Sequence, residues 1–281
     1  MPAEAIHLSA LADTRAGADG AIARLLTVHD REARLGAVLI DLPYFERFPV
    51  ELVRYVARRP PRASAWGDRL HRAAPARVGL ELLRMARASR RDSWIALALG
   101  YLSHVAVDGA LHPLVNRLAR ARAATRGSTD GAEHREVEKF QSILFHERRF
   151  GRDLMGSEPL VRYIDVGAGE LLADEELRRA LDGVLRAATG ESPREGRWRA
   201  WAAGYRQYTR VLGSPLGKLP APPAAKARER AALYEDVAFE REYAGAVERS
   251  RRYVAAGLSA LESGALDERF FGAVPEGSID D

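Results

Sequence analysis

Residues 94–115, WIALALGYLSHVAVDGALHPLV, constrain this chain more than any other stretch. The run is apolar around its whole circumference, the pattern of a helix buried on every side. It nevertheless carries His104, Asp108 and His112 at intervals of four. Residues four apart on a helix advance by ~40° and ~6 Å, so the three side chains share one face. Two imidazoles and a carboxylate buried without partners are strongly unfavourable, and a metal is the obvious compensation. His104 and His112 stand ~12 Å apart along the axis, too far to grip one ion. Asp108, midway between them, is placed to join two centres.

A second pair at the same spacing, His134 and Glu138, follows in AEHREVEKFQSILF after the loop-like RGSTDGA. Helices joined by a short connection commonly pack antiparallel, which would turn this pair toward the first helix. The donors are nitrogen and oxygen without sulfur, a set that suits zinc and leaves manganese or iron open.

With 281 residues, 47% of them hydrophobic, the chain can bury a sizeable core as one large or two small domains. It contains no cysteine, so disulfides and thiolate sites are unavailable. The start, MPAEAIHLSALADTR, lacks the basic and apolar regions of a secretory signal, and the expected location is cytoplasmic. Residues 94–115 have the length of a membrane span, but intramembrane His, Asp and His would be costly, so no transmembrane segment is expected. The net charge of +4 gives no mandate for nucleic acid. Arginine clusters at 87–91 and 117–126 would suit phosphates or peripheral contact with anionic lipid, although such runs on helices are commonly the solvated face.

Apolar residues recur at helical spacing almost throughout, and no alternating β-branched run suggests a sheet, so an all-α multi-helix bundle is expected. The spacing predicts helices at 4–15, 20–40, 50–58, 74–90, 92–122, 131–150, 158–168, 173–188, 194–212 and 223–263. Residues 1–213 read as a metal-binding helical core. Residues 214–225, SPLGKLPAPPAA, contain four prolines and a glycine and read as a connection. Residues 226–281 read as a helical segment packed back on the same domain through Leu233, Val237, Tyr243, Val247, Val254, Leu258 and Leu261.

Histidine is scarce, with seven in the chain. In order, the candidate ligands are His7, Asp41, His71, His104, Asp108, His112, His134 and Glu138. This set resembles the zinc-dependent phospholipase C family, whose all-helical fold also includes fungal single-strand nucleases and holds three zinc ions. GAVLIDLPYF resembles that family's glycine-rich segment with its metal-binding aspartate, and GYLSHVAVDGALHP resembles its central helix. The resemblance covers residues 1 to about 150, with 151–281 adding nothing. It implies one zinc on Asp41, His71, His104 and Asp108, a second on His112, His134 and Glu138, and a third on His7 and a bridging Asp108. The family's secreted enzymes complete the third site with a processed amino-terminal tryptophan. This chain begins Met-Pro instead, so that two ions or three are expected, with Pro2 as a conjectural terminal amine.

The implied function is a phospholipase C-like, metal-dependent phosphodiester hydrolase, with Asp41 orienting or deprotonating the attacking water. Glu133, Glu136 and Asp68 are candidates to orient the ligand histidines, and His29 and His146 are expected at the surface or behind the ligands. Tyr44, Phe45 and Phe48 offer an aromatic wall for a choline-like cation or a stacked base, or else core packing. The substrate is expected to be a small-molecule or lipid phosphodiester. A single-strand nuclease is compatible but not favoured, and a non-hydrolytic tailoring enzyme or scaffold with iron or manganese is a separate alternative. The dipeptide His29-Asp30 would suit a phosphohydrolase using adjacent His and Asp ligands, but Asp30 is more simply a helix cap before REARLG.

Overall fold

The computed structural model describes residues 3–57, 59, 62, 64–73, 75–264 and 266–274, and no strand occurs among them. Its axis is α7 (Asp92–Arg126), the helix of the His-Asp-His register. Its apolar run passes for a membrane span by length and composition, but 83% of that window is buried inside the fold. Around it pack α3 (Asp30–Val38), α6 (Pro75–Ser89), α8 (Asp130–Phe150) and α14 (Phe239–Ser263), with α1 (Ala3–Ala16) also packed on α7. Gly127, in the left-handed conformation at φ 65°, ends α7 and lets the chain turn back into α8, whose N-cap Thr129 accepts from the Ala132 N–H.

Pro113 lies inside α7. A proline lacks the N–H that would bond the carbonyl four residues earlier, which here belongs to Gly109. Arg249 of α14 donates to that carbonyl instead, at 2.5 Å. The helix therefore passes through its proline while keeping Asp108 and His112 on one face, with a buried acceptor satisfied from a neighbour.

Three expectations are corrected. The helix expected at 20–40 is broken into α2 (Gly20–Val28) and α3 by His29, whose φ −111° and ψ 43° leave the helical region. Asp30 is then the first residue of α3 and not its cap; its carboxylate accepts from Arg15 at 2.7 Å. The helix expected at 223–263 divides into α13 (Pro223–Arg230), a π turn (Ala231–Glu235) and α14, with Ala238 at φ 50° before α14. The structure also adds α5 (Ala65–Ala73), where the sequence reading placed none. The apolar stripe of α14 faces inward, with Tyr243, Val247 and Val254 buried.

The remaining elements are the 3-10 turn Leu42–Phe45, α4 (Phe48–Val56), α9 (Glu158–Ile164), α10 (Ala168–Leu171), α11 (Glu175–Thr189), α12 (Arg197–Gly213) and α15 (Leu266–Ala273). Helix α12 supports the turn through Tyr205 and Tyr208, whose rings pack on Phe45 at 5.1 and 4.6 Å. Residues 275–281 lie outside the described residues.

Candidate metal centre

Five elements converge at the middle of α7, and each contributes because of its register. Helix α1 supplies His7, the exit of α3 supplies Asp41, α5 supplies His71, α7 supplies His104, Asp108 and His112, and α8 supplies His134 and Glu138. Seven of the eight sequence candidates thus line one cavity, and the eighth, His104, is fully buried with its ring against Asp108. Asp108 stands at its centre: Oδ1 lies 3.1 Å from His7 Nε2 and 3.6 Å from His112 Nε2, and Oδ2 lies 2.9 Å from His104 Nε2 and 3.9 Å from His71 Nε2. Asp41 Oδ1 is 3.1 Å from His71 Nε2. At the far side Glu138 Oε1 is 3.1 Å from His134 Nε2 and 3.5 Å from His112 Nε2.

Three compact groups result, each with ligand atoms within 4.8 Å of one another: His7, His104 and Asp108; Asp41, His71 and His104; His112, His134 and Glu138. The imidazoles are aimed by their other nitrogen. His71 Nδ1 donates to the Gly67 carbonyl at 2.9 Å, His104 Nδ1 to the Ala37 carbonyl at 2.7 Å, and His134 Nδ1 to Asn116 Oδ1 at 2.9 Å. Each of these rings then turns Nε2 toward the carboxylates, which fixes the tautomer a metal ligand needs. The orienting residues expected from sequence do other things: Glu133 pairs with Arg122, Glu136 with Lys139, and Asp68 accepts from the Tyr44 hydroxyl at 3.3 Å.

Without cations the cluster carries its charge on protons. Burial disfavours the His104 imidazolium, yet the Asp108 and Asp41 carboxylates outweigh it and push its pKa up to about 9. Burial likewise favours neutral acids at Asp108 and Asp41, but the surrounding histidines, His104 foremost, hold both below the usual carboxylate range. Burial also opposes ionisation of Glu138, and His134 with His112 reverses it. His7 moves the other way, because burial and His104 together disfavour its charge. Its Nδ1 is buried and without a hydrogen-bond partner. Largely buried carboxylate oxygens, imidazoles whose Nε2 faces them and one orphaned ring nitrogen form a donor set that divalent zinc fits. Pro2, the conjectural amine ligand, lies outside the described residues.

The cavity above the cluster has a volume of about 470 Å³. Tyr44 shows it an exposed ring, 5.3 Å from that of His71. Phe45, expected beside it as a second aromatic contact, also lines the cavity, although its ring is mostly buried against Tyr205 and Tyr208 of α12. Sequence reasoning missed Glu4, Asn116 and Arg135, all in the cavity wall. Glu4 is buried one turn before His7 and accepts from the Tyr208 hydroxyl at 2.8 Å; burial, reinforced by Asp41, raises its pKa to about 7. Asn116 continues the register 104, 108, 112 by four residues and was legible there. Burial pushes the Arg135 guanidinium pKa down.

The other histidines lie apart. His29 caps α3 through backbone geometry alone, and with Asp30 committed to Arg15 the adjacent His-Asp pair makes no site. His146, expected at the surface or behind the ligands, is buried and ties α8 to α1: Nδ1 donates to the Ser142 carbonyl at 2.6 Å and Nε2 lies 3.0 Å from Ser9 Oγ. Burial lowers its pKa to about 4. The unfolded chain therefore takes up a proton from pH 6.5 downward while the folded protein does not until about pH 4. Stability is full above pH 6.5 and falls across that window by up to about 3 kcal/mol. His146→Gln is expected to leave metal content unchanged and to flatten the fall; denaturant midpoints of both proteins between pH 7 and pH 4 check this, and parallel curves would contradict it.

Comparison with curated proteins returned no match, and neither did comparison with solved structures. A model of the zinc-dependent phospholipase C family matches residues 6–183, extending beyond the resemblance over residues 1 to about 150 that the motifs carry. That interval contains every one of the eight clustered side chains, and on this match the chain belongs to the zinc-dependent phospholipase C family.

Proposed function

We propose that the protein is a multinuclear zinc phosphodiesterase that cleaves phospholipid-type diesters on the diacylglycerol side of phosphorus. The observation that carries this reading is Asp108, whose two oxygens face four imidazoles at the floor of an open cavity. A single carboxylate so placed can serve two or three cations a few Å apart. Asp41, His71, His104 and Asp108 would hold one ion, His112, His134 and Glu138 a second, and His7 with Asp108 a third. Zinc bound there supplies Lewis-acid stabilisation of charge on the phosphoryl oxygens and acidifies the attacking water.

The chain's own groups do the rest. The carbonyls of Gly67 and Ala37 and the Asn116 amide oxygen hold three imidazoles in one orientation, so the site is preorganised before substrate enters. The Asp41 carboxylate at the cavity wall accepts the proton of the water that attacks phosphorus. Phosphorus gains the P–O bond to water and loses that to the glycerol oxygen, which leaves as the alcohol with one proton. Tyr44, held through its hydroxyl by Asp68, lines the side where a headgroup would rest.

Mass spectrometry of protein purified without chelators is expected to find two or three zinc ions per chain. The same preparation should release phosphorylated headgroup from phospholipid and leave single-stranded DNA intact. Iron or manganese with no headgroup release would replace this reading with a non-hydrolytic role, and DNA cleavage alone would replace it with a nuclease.

A further inference from the structure

Among the described residues nine large hydrophobic side chains are exposed, and five of them fall between positions 44 and 56: Tyr44 at 37% exposure, Val50 at 44%, Val53 at 68%, Tyr55 at 46% and Val56 at 71%. Four belong to α4, a helix with no buried residue. Val50, Val53 and Val56 recur every three positions and so lie along one side of it. A soluble surface scatters its apolar residues; a concentration on one short helix marks a contact surface.

The helix stands at the cavity. The turn Leu42–Phe45, which brings Tyr44 to the cavity wall, leads into α4 through two residues. From α8, Lys139 donates to the Tyr55 hydroxyl at 3.2 Å, next in sequence to Glu138, and Arg135 in the cavity wall feels the charge of Glu51. Whatever covers α4 therefore also faces the entrance to the metal cluster.

The surrounding charge selects the occupant. Arg47, Arg59 and Arg62 are exposed beside the valines. The acids nearby are engaged: Glu46 with Arg197, and Glu51 with the Arg62 backbone N–H. Apolar side chains ringed by arginines suit an anionic lipid surface, where the valines enter the acyl boundary and the guanidiniums meet phosphates.

We infer that α4 docks the protein on anionic phospholipid membranes, with Val53 and Val56 inserted and the cavity mouth held against the headgroups. The inference rests on the phospholipid reading of the site, which supplies the reason for a membrane at this mouth.

Flotation of zinc-loaded protein with phosphatidylcholine vesicles, with and without phosphatidylglycerol, tests it. Wild type is expected to float with the phosphatidylglycerol vesicles and to be released by salt. Val53→Asp/Val56→Asp should weaken that partitioning by roughly ten-fold or more, while turnover of a soluble monomeric diester stays at the wild-type level. Val53→Trp/Val56→Trp should strengthen it. Unchanged flotation of the aspartate variant would overturn the inference, as would a wild-type dimer that the variant converts to monomer, since a second copy would then cover the face. Flotation does not depend on cleavage. Protein that floats through α4 and yet releases no headgroup would sink the hydrolase reading and leave the docking face standing.

Discussion

Asp108→Ala is expected to lose bound metal and phosphodiesterase activity together, and to do so more completely than any other single substitution at the site. Orienting groups one step removed from a metal are typically worth 10–100-fold in affinity. Asp108 faces His7, His71, His104 and His112 directly, so its removal should exceed that range at more than one ion. Asp108→Asn keeps the shape and removes the charge. It should resemble alanine, because the imidazoles answer to charge: Asp108 is the leading reason that His104 holds its proton so firmly. In the metal-free variant the His104 pKa should drop from about 9, which titration of the ring by NMR would read without any assay of activity. Full zinc content in Asp108→Ala would refute the central placement of this carboxylate.

The site was legible wherever one element carried it. Spacing of four on an apolar helix put His104, Asp108 and His112 on one face, and the same rule joined His134 to Glu138. Extended by one step, it would also have found Asn116, whereas Glu4 stands three residues before His7, the other same-face spacing of a helix, and was missed by a search at intervals of four. Pairings between elements were not legible from spacing. Nothing in the sequence says that the carbonyls of Ala37 and Gly67, and not the carboxylates of Glu133 or Glu136, aim the imidazoles, because backbone acceptors carry no residue signature. Helix α5 was missed because a proline- and arginine-rich approach masked a start that Ser64 in fact provides, its hydroxyl accepting from the Gly67 N–H at 3.1 Å. The break before α14 has no glycine or proline to announce it; Ala238 takes a left-handed conformation where the side chain gives no preference for one.

Gly100→Ala is expected to destabilise the protein by about 3 kcal/mol or more, the upper end of overpacking in a core. Helix propensity alone gives the opposite sign, since alanine in a helix interior is favoured over glycine by about 1 kcal/mol. The structure overrides propensity at this position. A Cβ on Gly100 would sit 1.9 Å from the Ala33 carbonyl oxygen and 2.7 Å from its carbon, and on the opposing helix a Cβ on Gly36 would sit 2.0 Å from the Leu97 oxygen. Both obstacles are backbone, so no rotamer change relieves them, and α3 must move off α7. That movement reaches the site, because α3 carries the Ala37 carbonyl that aims His104 and leads into Asp41, while α7 carries His104 and Asp108. Melting temperature should fall by roughly 6–12 °C for a chain of this size, with zinc affinity falling alongside it. Gly183→Ala supplies the contrast: that glycine is exposed in α11 with nothing within 4 Å of its Cβ direction, so there propensity should win and stability should rise by about 0.5–1 kcal/mol. If the two variants moved stability in the same direction, the close approach of α3 and α7 would not be what sets the spacing between Asp41 and the His104–Asp108 face.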